Sequence, residues 1–453
     1  MQEIKASEIA KMCGGVVSPV FAGEQAIYQV SIDSRKVLMH GLFVALKGEN
    51  SDGHDFVAEV VAKPGNFAVV SHSFSSELAN LIRVDDTTLA LGALASSYRQ
   101  LFPSLQLVAV TGSNGKTTLK EMLKLVCQEQ FGVEAVLATS GNLNNHLGVP
   151  LTLLELTNAH RVAIIEMGMN HSGELSYLSK LARPTLACVN NVMFAHAGHF
   201  QSLDEIAAAK AEIFEGLDQT GTACLDLSNQ YSQAWQKQLL ASGVPIFSYA
   251  NSASQCYLKR LSSSGGEYVT PLGGIHIKLA VLGEHNYSNA LSVIALAINL
   301  GCSLDAIKTG LEAYLGYPKR LEPKRAFNGA LMIDDSYNAN PDSVKAALQA
   351  IQVLAKPYWF IFADLKELGA DELKFHQEIG AALDGFAISQ LLTVGELAAH
   401  AAEFYPGAKI HFSCNQDIVK YCLANLPKNV TVLVKGSNSM QLQEIVQQLT
   451  IIK

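Results

Sequence analysis

Apolar positions along this chain fall into two alternating rhythms. Short runs dense in Val, Ile, Leu and Ala suit strands buried on both faces. LQLVAV (105–110), RVAIIEMGM (161–169), TLACVNNV (185–192) and GTACLDL (221–227) are of this kind. Helical patterns separate them. Leu119, Met122, Leu123 and Val126 share one face, and Asp85 to Gln100 reads as a helix leading into the first of these strands. Strand–helix alternation predicts a parallel sheet, so the chain is α/β. A β-rich stretch with Ser/Gly turns runs from about 245 to 282, and Leu282–Ile298 is a loop entering an apolar helix. The strands ALMIDD, WFIFAD, QLLTV and VTVLVKG, with helices between them, form a second doubly wound pattern. The pattern divides the chain into a small N-terminal α/β domain (1–84), a central parallel-sheet domain (85–314) and a third domain (315–453).

Composition narrows the class. Among 453 residues, 49% are apolar and 16% charged, which predicts a globular chain with large cores. The net charge of −8 gives no basic footprint for nucleic acid, although a local cluster can still bind anions. The eight cysteines are scattered without a C-x-x-C pair, as in reduced cytosolic proteins. The start, MQEIKASEIAKMCGG, lacks a signal-peptide h-region, and no apolar run reaches the ~18 residues of a membrane span. The expectation is a cytoplasmic protein without membrane insertion.

The chemistry centres on TGSNGKTT, Thr111 to Thr118, between a strand and a helix. Glycines let backbone N–H groups converge on an anion, and the helix N-terminus adds partial positive charge. The spacing is G-x-x-G-K-T, shorter than the usual P-loop. Gly112, Ser113, Asn114, Gly115, Lys116, Thr117 and Thr118 are the candidate phosphate-binding residues. Lys116 would reach the β- and γ-phosphates of a nucleotide, and the Thr117 hydroxyl would hold Mg²⁺. Glu166 ends an apolar strand, on the side where open α/β sheets bind ligands, and is a candidate Mg²⁺ ligand or else a capping carboxylate.

His196 follows the next strand as a ligand, a phosphate polariser or a structural histidine. Lys210, on a helix over Ser202–Leu217, reads as a snorkelling surface lysine. Asn142, Asn144 and Asn145, in a polar loop with two glycines, could line a polar ligand. Asn286 and Asn289 share one face near a helix start, where they either read adenine or cap the helix. Arg320 could clamp a transferring phosphoryl group from between domains. Ser34 and Arg35 could hold a phosphate or form a capped turn. Asn338 and Asn340, in DDSYNANPDS, a polar loop after a strand of the third domain, are candidate substrate-binding residues.

The succession TGSNGKTT, NLNNHLGVP, EMGMNHSGELSYL, GEHNYSNA and DDSYNANPDS resembles the Mur ligases of peptidoglycan synthesis. The resemblance runs from DSRK near the start to LVKGSNSM near the end. It implies an N-terminal domain that holds a UDP group, a central ATP-binding domain and a closing C-terminal Rossmann-like domain. The combination of EMGMN…GEL with DSYNANPDS implies the branch that joins D-alanyl-D-alanine to UDP-N-acetylmuramoyl-tripeptide through an acyl phosphate.

By the same resemblance, Glu166 and His196 bind a second Mg²⁺, and Lys210 is the lysine carbamylated by CO₂, against its reading as a surface residue. Asn286, Asn289, Arg320 and Asp335 contact the nucleotide, and Asp33, Ser34 and Arg35 lie near the UDP group. A monomer is implied. The chain departs from the pattern at His40-Gly41, at Asp226-Leu227-Ser228, at Ala363-Asp364-Leu365 and at Asn438, where Arg is usual. Two other readings stay open: a related ligase adding a single amino acid, and a P-loop nucleotide-binding protein without ligase activity.

Overall fold

The computed structural model describes residues 1–17, 24–194, 200 and 202–450. Among them the chain builds three main sheets and a small ribbon pairing Ile4–Lys5 with Ala26–Ile27. The first sheet has five strands, with Phe67–Ser71 at its centre. The helix Thr87–Arg99 follows, within the expected span, and starts where Asp86 accepts from the N–H groups of Thr88 and Leu89.

The central sheet has nine strands. Seven are parallel, and Gly265–Thr270 and Gly273–Ile277 extend one edge antiparallel. Gln106–Thr111 lies between Val162–Glu166 and Leu186–Val189, so the chain turns to either side of it. That is a topological switch point, where the C-terminal strand ends open a crevice. Strand side chains alternate faces. Leu107 and Ala109 enter one core, which continues through Leu91, Leu94 and Tyr98 into the first sheet. Val108 and Val110 enter the other, against Leu119, Met122, Leu123 and Val126, all fully buried. Burial on both faces explains why this strand reads as an unbroken apolar run.

The third sheet has six strands in the order Glu322–Arg325, Leu331–Asp335, Thr431–Lys435, Tyr358–Ala363, Ile388–Val394 and Lys409–Phe412. The outermost two were absent from the sequence pattern. They are short and rich in charge, as edge strands are.

The helix expected over Ser202–Leu217 is α-helical only over Leu203–Ala211 and then tightens into a 3₁₀ turn, Glu212–Gly216. Tertiary bonds account for this. Glu212 accepts from the N–H groups of Gly173 and Ser176, and the Gly216 backbone packs against Ser179.

Candidate active site

A cleft of about 1060 Å³ opens between the central and third sheets. Its floor is the loop between Gln106–Thr111 and the helix Lys116–Phe131. Gly115 sits at φ +77°, and a Cβ there would stand 2.7 Å from Asn190 Nδ2 and 2.8 Å from Asn289 Oδ1. Both the backbone conformation and the space therefore demand glycine. Asparagines fix the loop from behind. Asn114 N–H donates to Asn191 Oδ1 (2.8 Å), and its carbonyl accepts from Asn190 and Asn191. Lys116 Nζ folds back onto the Gly112 carbonyl at 2.7 Å. Burial pushes its pKa down, Glu166 opposes that shift, and Arg320 adds to it.

Glu166 ends its strand 2% exposed. Its N–H donates to Thr139 Oγ1, and its Oε1 accepts from Asn144 Nδ2 at 2.8 Å. Its Oε2 is buried without a hydrogen-bond partner. A buried carboxylate oxygen left open costs free energy unless a cation or donor meets it. With the Thr117 hydroxyl on the same cleft, this donor set fits Mg²⁺, a hard cation that takes oxygen ligands. His196 lies outside the described residues.

Lys210 overturns its reading as a surface lysine. It is 2% exposed, on the helix Leu203–Ala211. Burial drives its pKa well below the ordinary value, and the neighbouring Lys116 lowers it further. Snorkelling fails here because the helix packs its small residues inward and carries the lysine with them: Ala207 and Ala209 are each 1% exposed.

Asn286 and Asn289 are buried and line the cleft. Neither caps the helix His285–Asn299, whose N-cap position, Glu284, makes no side-chain cap bond. Asn286 Nδ2 donates instead to the Leu282 carbonyl, and Asn289 bonds both Asn286 and Asn190.

The third domain supplies the opposite wall. Arg320 Nη2 donates to Thr117 Oγ1 at 3.1 Å, its guanidinium lies 4.4 Å from the Tyr337 ring centroid, and its Nε is buried without a partner. Asp335 accepts from the Leu321 N–H and pairs with Lys435. Asn338 and Asn340 both line the cleft. Asn340 caps the helix Pro341–Ile351.

The remaining candidates divide between the cleft and elsewhere. Asn142 and Asn144 line the cleft, but Asn145 does not: its Oδ1 caps the N–H groups of Leu147 and Gly148. Ser34 and Arg35 are also outside the lining, and Arg35 is held by Asp33 through Nε and Nη2, both at 2.9 Å. That bond holds the Asp33 carboxyl down at about 2.

Several lining residues escaped the sequence reading. Asn190 and Asn191 directly follow the parallel strand Leu186–Val189, and their position at its C-terminal end was a usable signal. Lys435, 2% exposed, ends the strand Thr431–Lys435, and Tyr337 belongs to the DSYNAN loop. Only tertiary structure shows what these two side chains touch.

Comparison with known proteins bears on this geometry. Three family models match the chain: "Mur ligase family, catalytic domain" over residues 26–99, "Mur ligase middle domain" over 110–297, and "Mur ligase, glutamate ligase domain" over 319–438. The UDP-N-acetylmuramoyl-tripeptide–D-alanyl-D-alanine ligase of Escherichia coli is 39% identical over 427 residues, and that of Haemophilus influenzae 36% over 430, each covering 93% of both chains. A crystal structure of MurF from Acinetobacter baumannii superposes with a TM-score of 0.91 at 31% identity, covering 99% of both chains.

Proposed function

Because the chain belongs to the Mur ligase family, we propose that it joins D-alanyl-D-alanine to UDP-N-acetylmuramoyl-tripeptide with consumption of ATP, in peptidoglycan precursor synthesis. One observation carries the mechanism. The glycine loop, the open Glu166 oxygen, and Arg320 from the opposite wall face a single cleft.

Phosphoryl transfer needs positioning and charge neutralisation more than covalent help from the protein. Backbone N–H groups of 112–118 and the Lys116 ammonium hold the β- and γ-phosphates. Arg320 exchanges its bond to Thr117 for the γ-phosphate, and its stacking on Tyr337 keeps the guanidinium plane oriented. Thr117, Glu166 and, by family resemblance, His196 would hold Mg²⁺, which when bound neutralises phosphate charge. Asn286, Asn289 and Asp335 would contact the nucleoside end of ATP. Asn142 and Asn144 would line the peptide path, and Ser34 and Arg35 would face the UDP group.

A carboxylate oxygen of the tripeptide forms a bond to the γ-phosphorus as the bond to the β–γ bridging oxygen breaks, giving an acyl phosphate and ADP. The D-alanyl-D-alanine amine then attacks the acyl carbon. The adduct loses a proton from nitrogen and expels phosphate, leaving the amide.

Lys210 enters as its carbamate. A buried lysine with a strongly lowered pKa presents a neutral amine, which adds to CO₂ and releases a proton. The product is an anion beside the Lys116 ammonium, a favourable pair where the uncharged amine offered none. We assign the carbamate to support of the metal site.

No helix among the described residues is long and apolar enough to cross a membrane. Our reading is of a monomer that acts in the cytoplasm. The test is phosphate release from Mg·ATP, UDP-N-acetylmuramoyl-tripeptide and D-alanyl-D-alanine, each omitted in turn. Release that requires all three is expected. Release that needs a different amine moves the enzyme to a sister step, and release indifferent to both acceptor and amine refutes the assignment.

A further inference from the structure

Asn340 makes more bonds than its place in the helix requires. As N-cap of Pro341–Ile351 it accepts the Ser343 N–H at 2.9 Å through Oδ1, while the Ser343 hydroxyl accepts the Asn340 N–H. An N-cap needs only an acceptor oxygen, which serine or aspartate supplies equally well. The amide NH₂ of Asn340 is surplus to capping, and it crosses the cleft. Its Nδ2 donates to Asn114 Oδ1 at 2.9 Å, and Asn114 Nδ2 returns a bond to Asn340 Oδ1 at 3.3 Å.

The two residues are 226 positions apart, one in the glycine loop of the central domain and one at a helix start in the third. Asn114 is itself immobilised, because Asn190 and Asn191 hold its backbone N–H and carbonyl. Asn340 is 8% exposed, so little water competes for its bonds. It also shares the loop 336–340 with Tyr337, on which Arg320 stacks.

We infer that the Asn114–Asn340 carboxamide pair registers the third domain against the phosphate loop, and that Asn340 is a positioning residue rather than a substrate ligand. With the pair made, the loop that carries Tyr337 sits where Arg320 meets the phosphate site. Without it, the third domain keeps its fold and its capped helix but docks loosely. This inference rests on the ATP site proposed above and not on the identity of the amine or acceptor.

The test is Asn340→Ser, which keeps a capping oxygen but is too short to reach Asn114, together with Asn114→Ala and the double variant. Asn340→Ser should lower kcat for phosphate release about 5- to 10-fold, the worth of one or two neutral hydrogen bonds. KM for ATP and the melting temperature should stay near wild type. Small-angle scattering should show a smaller compaction with a non-hydrolysable ATP analogue. The decisive comparison is the cycle: in the Asn114→Ala background, Asn340→Ser should cost almost nothing further. An unchanged kcat in Asn340→Ser overturns the inference, as does an equal cost of that change with and without Asn114. The scattering arm needs nucleotide only. If the ligase reaction itself were misassigned, loss of compaction would still support the pair and retained compaction would still refute it.

Discussion

Replacement of Lys210 tests a site where burial of a basic side chain works against the stability of the chain. The amine is buried, its pKa lies well below the ordinary 10.5, and the neighbouring Lys116 lowers it further. Between the lowered folded value and 10.5, the unfolded chain holds a proton that the folded chain lacks. Stability therefore rises with pH across that window, by about 1.4 kcal/mol per unit for this one group. Above 10.5 both states are neutral and no penalty remains. Below the folded value both are protonated, and the full cost of the buried cation is present.

In CO₂-stripped buffer the wild-type enzyme should show this slope in denaturant midpoints. Lys210→Met should flatten it and unfold at higher denaturant at neutral pH, because an apolar side chain of similar length fills the same space. The same change removes the anion that carbamylation would supply to the metal site. Phosphate release should fall by about 10- to 100-fold, the usual cost of losing a supporting group around a metal. Lys210→Ala leaves room for acetate or formate, and either should restore part of the rate. Added bicarbonate should restore the stripped wild-type enzyme but neither variant. Full activity in Lys210→Ala without a carboxylate, or in the stripped wild-type enzyme without bicarbonate, would falsify the carbamate.

Other changes probe the rest of the cleft. Lys116→Ala removes the ammonium from the glycine loop and should abolish measurable phosphate release while leaving the fold intact by circular dichroism; a near-normal rate refutes the P-loop assignment. Glu166→Gln keeps an acceptor for Asn144 but removes the charge at the open oxygen, so the Mg²⁺ concentration giving half the maximal rate should rise at least about 10-fold; an unchanged Mg²⁺ dependence excludes Glu166 as a ligand. Lys120 is fully buried, donates to the Thr139 carbonyl at 2.6 Å and pairs with Glu121 at 2.6 Å. Lys120→Met should destabilise the protein by about 2–4 kcal/mol, since it strands a buried acceptor and a half-paired carboxylate. A denaturant midpoint equal to wild type would show that the pair contributes nothing.

What could be read from the chain alone, and what could not, divides by the range of the interaction. The glycine loop was legible because strand, turn and helix are contiguous and each carries its own signal: β-branched residues, then φ-permissive glycine, then a 3.6-residue apolar period. Glu166 was legible for a similar reason, since strand ends in a parallel sheet converge on one edge. Lys210 was misread from its residues because burial of a lysine is decided by what packs over its helix, and its own neighbours in sequence are small apolar residues compatible with either face. The charge-rich edge strands of the third sheet were missed because they lack the apolar run that marks a central strand.

Asn340 sits at the far end of this scale. In sequence it is an asparagine before Pro341, which announces a helix start. Nothing nearby announces that its amide will meet Asn114. Its acceptor oxygen serves a local need that the pattern reveals, and its donor serves a distant one that only the fold reveals. The same division runs through the cleft as a whole. The central domain carries the groups proposed to bind phosphate, each beside its own motif. The third domain carries Arg320, which meets Thr117 of the phosphate loop across the cleft and which the proposed mechanism makes a phosphate ligand. On the proposed mechanism the central wall supplies the phosphate loop and the third domain supplies Arg320, so the phosphate site is complete only where both walls line the one cleft.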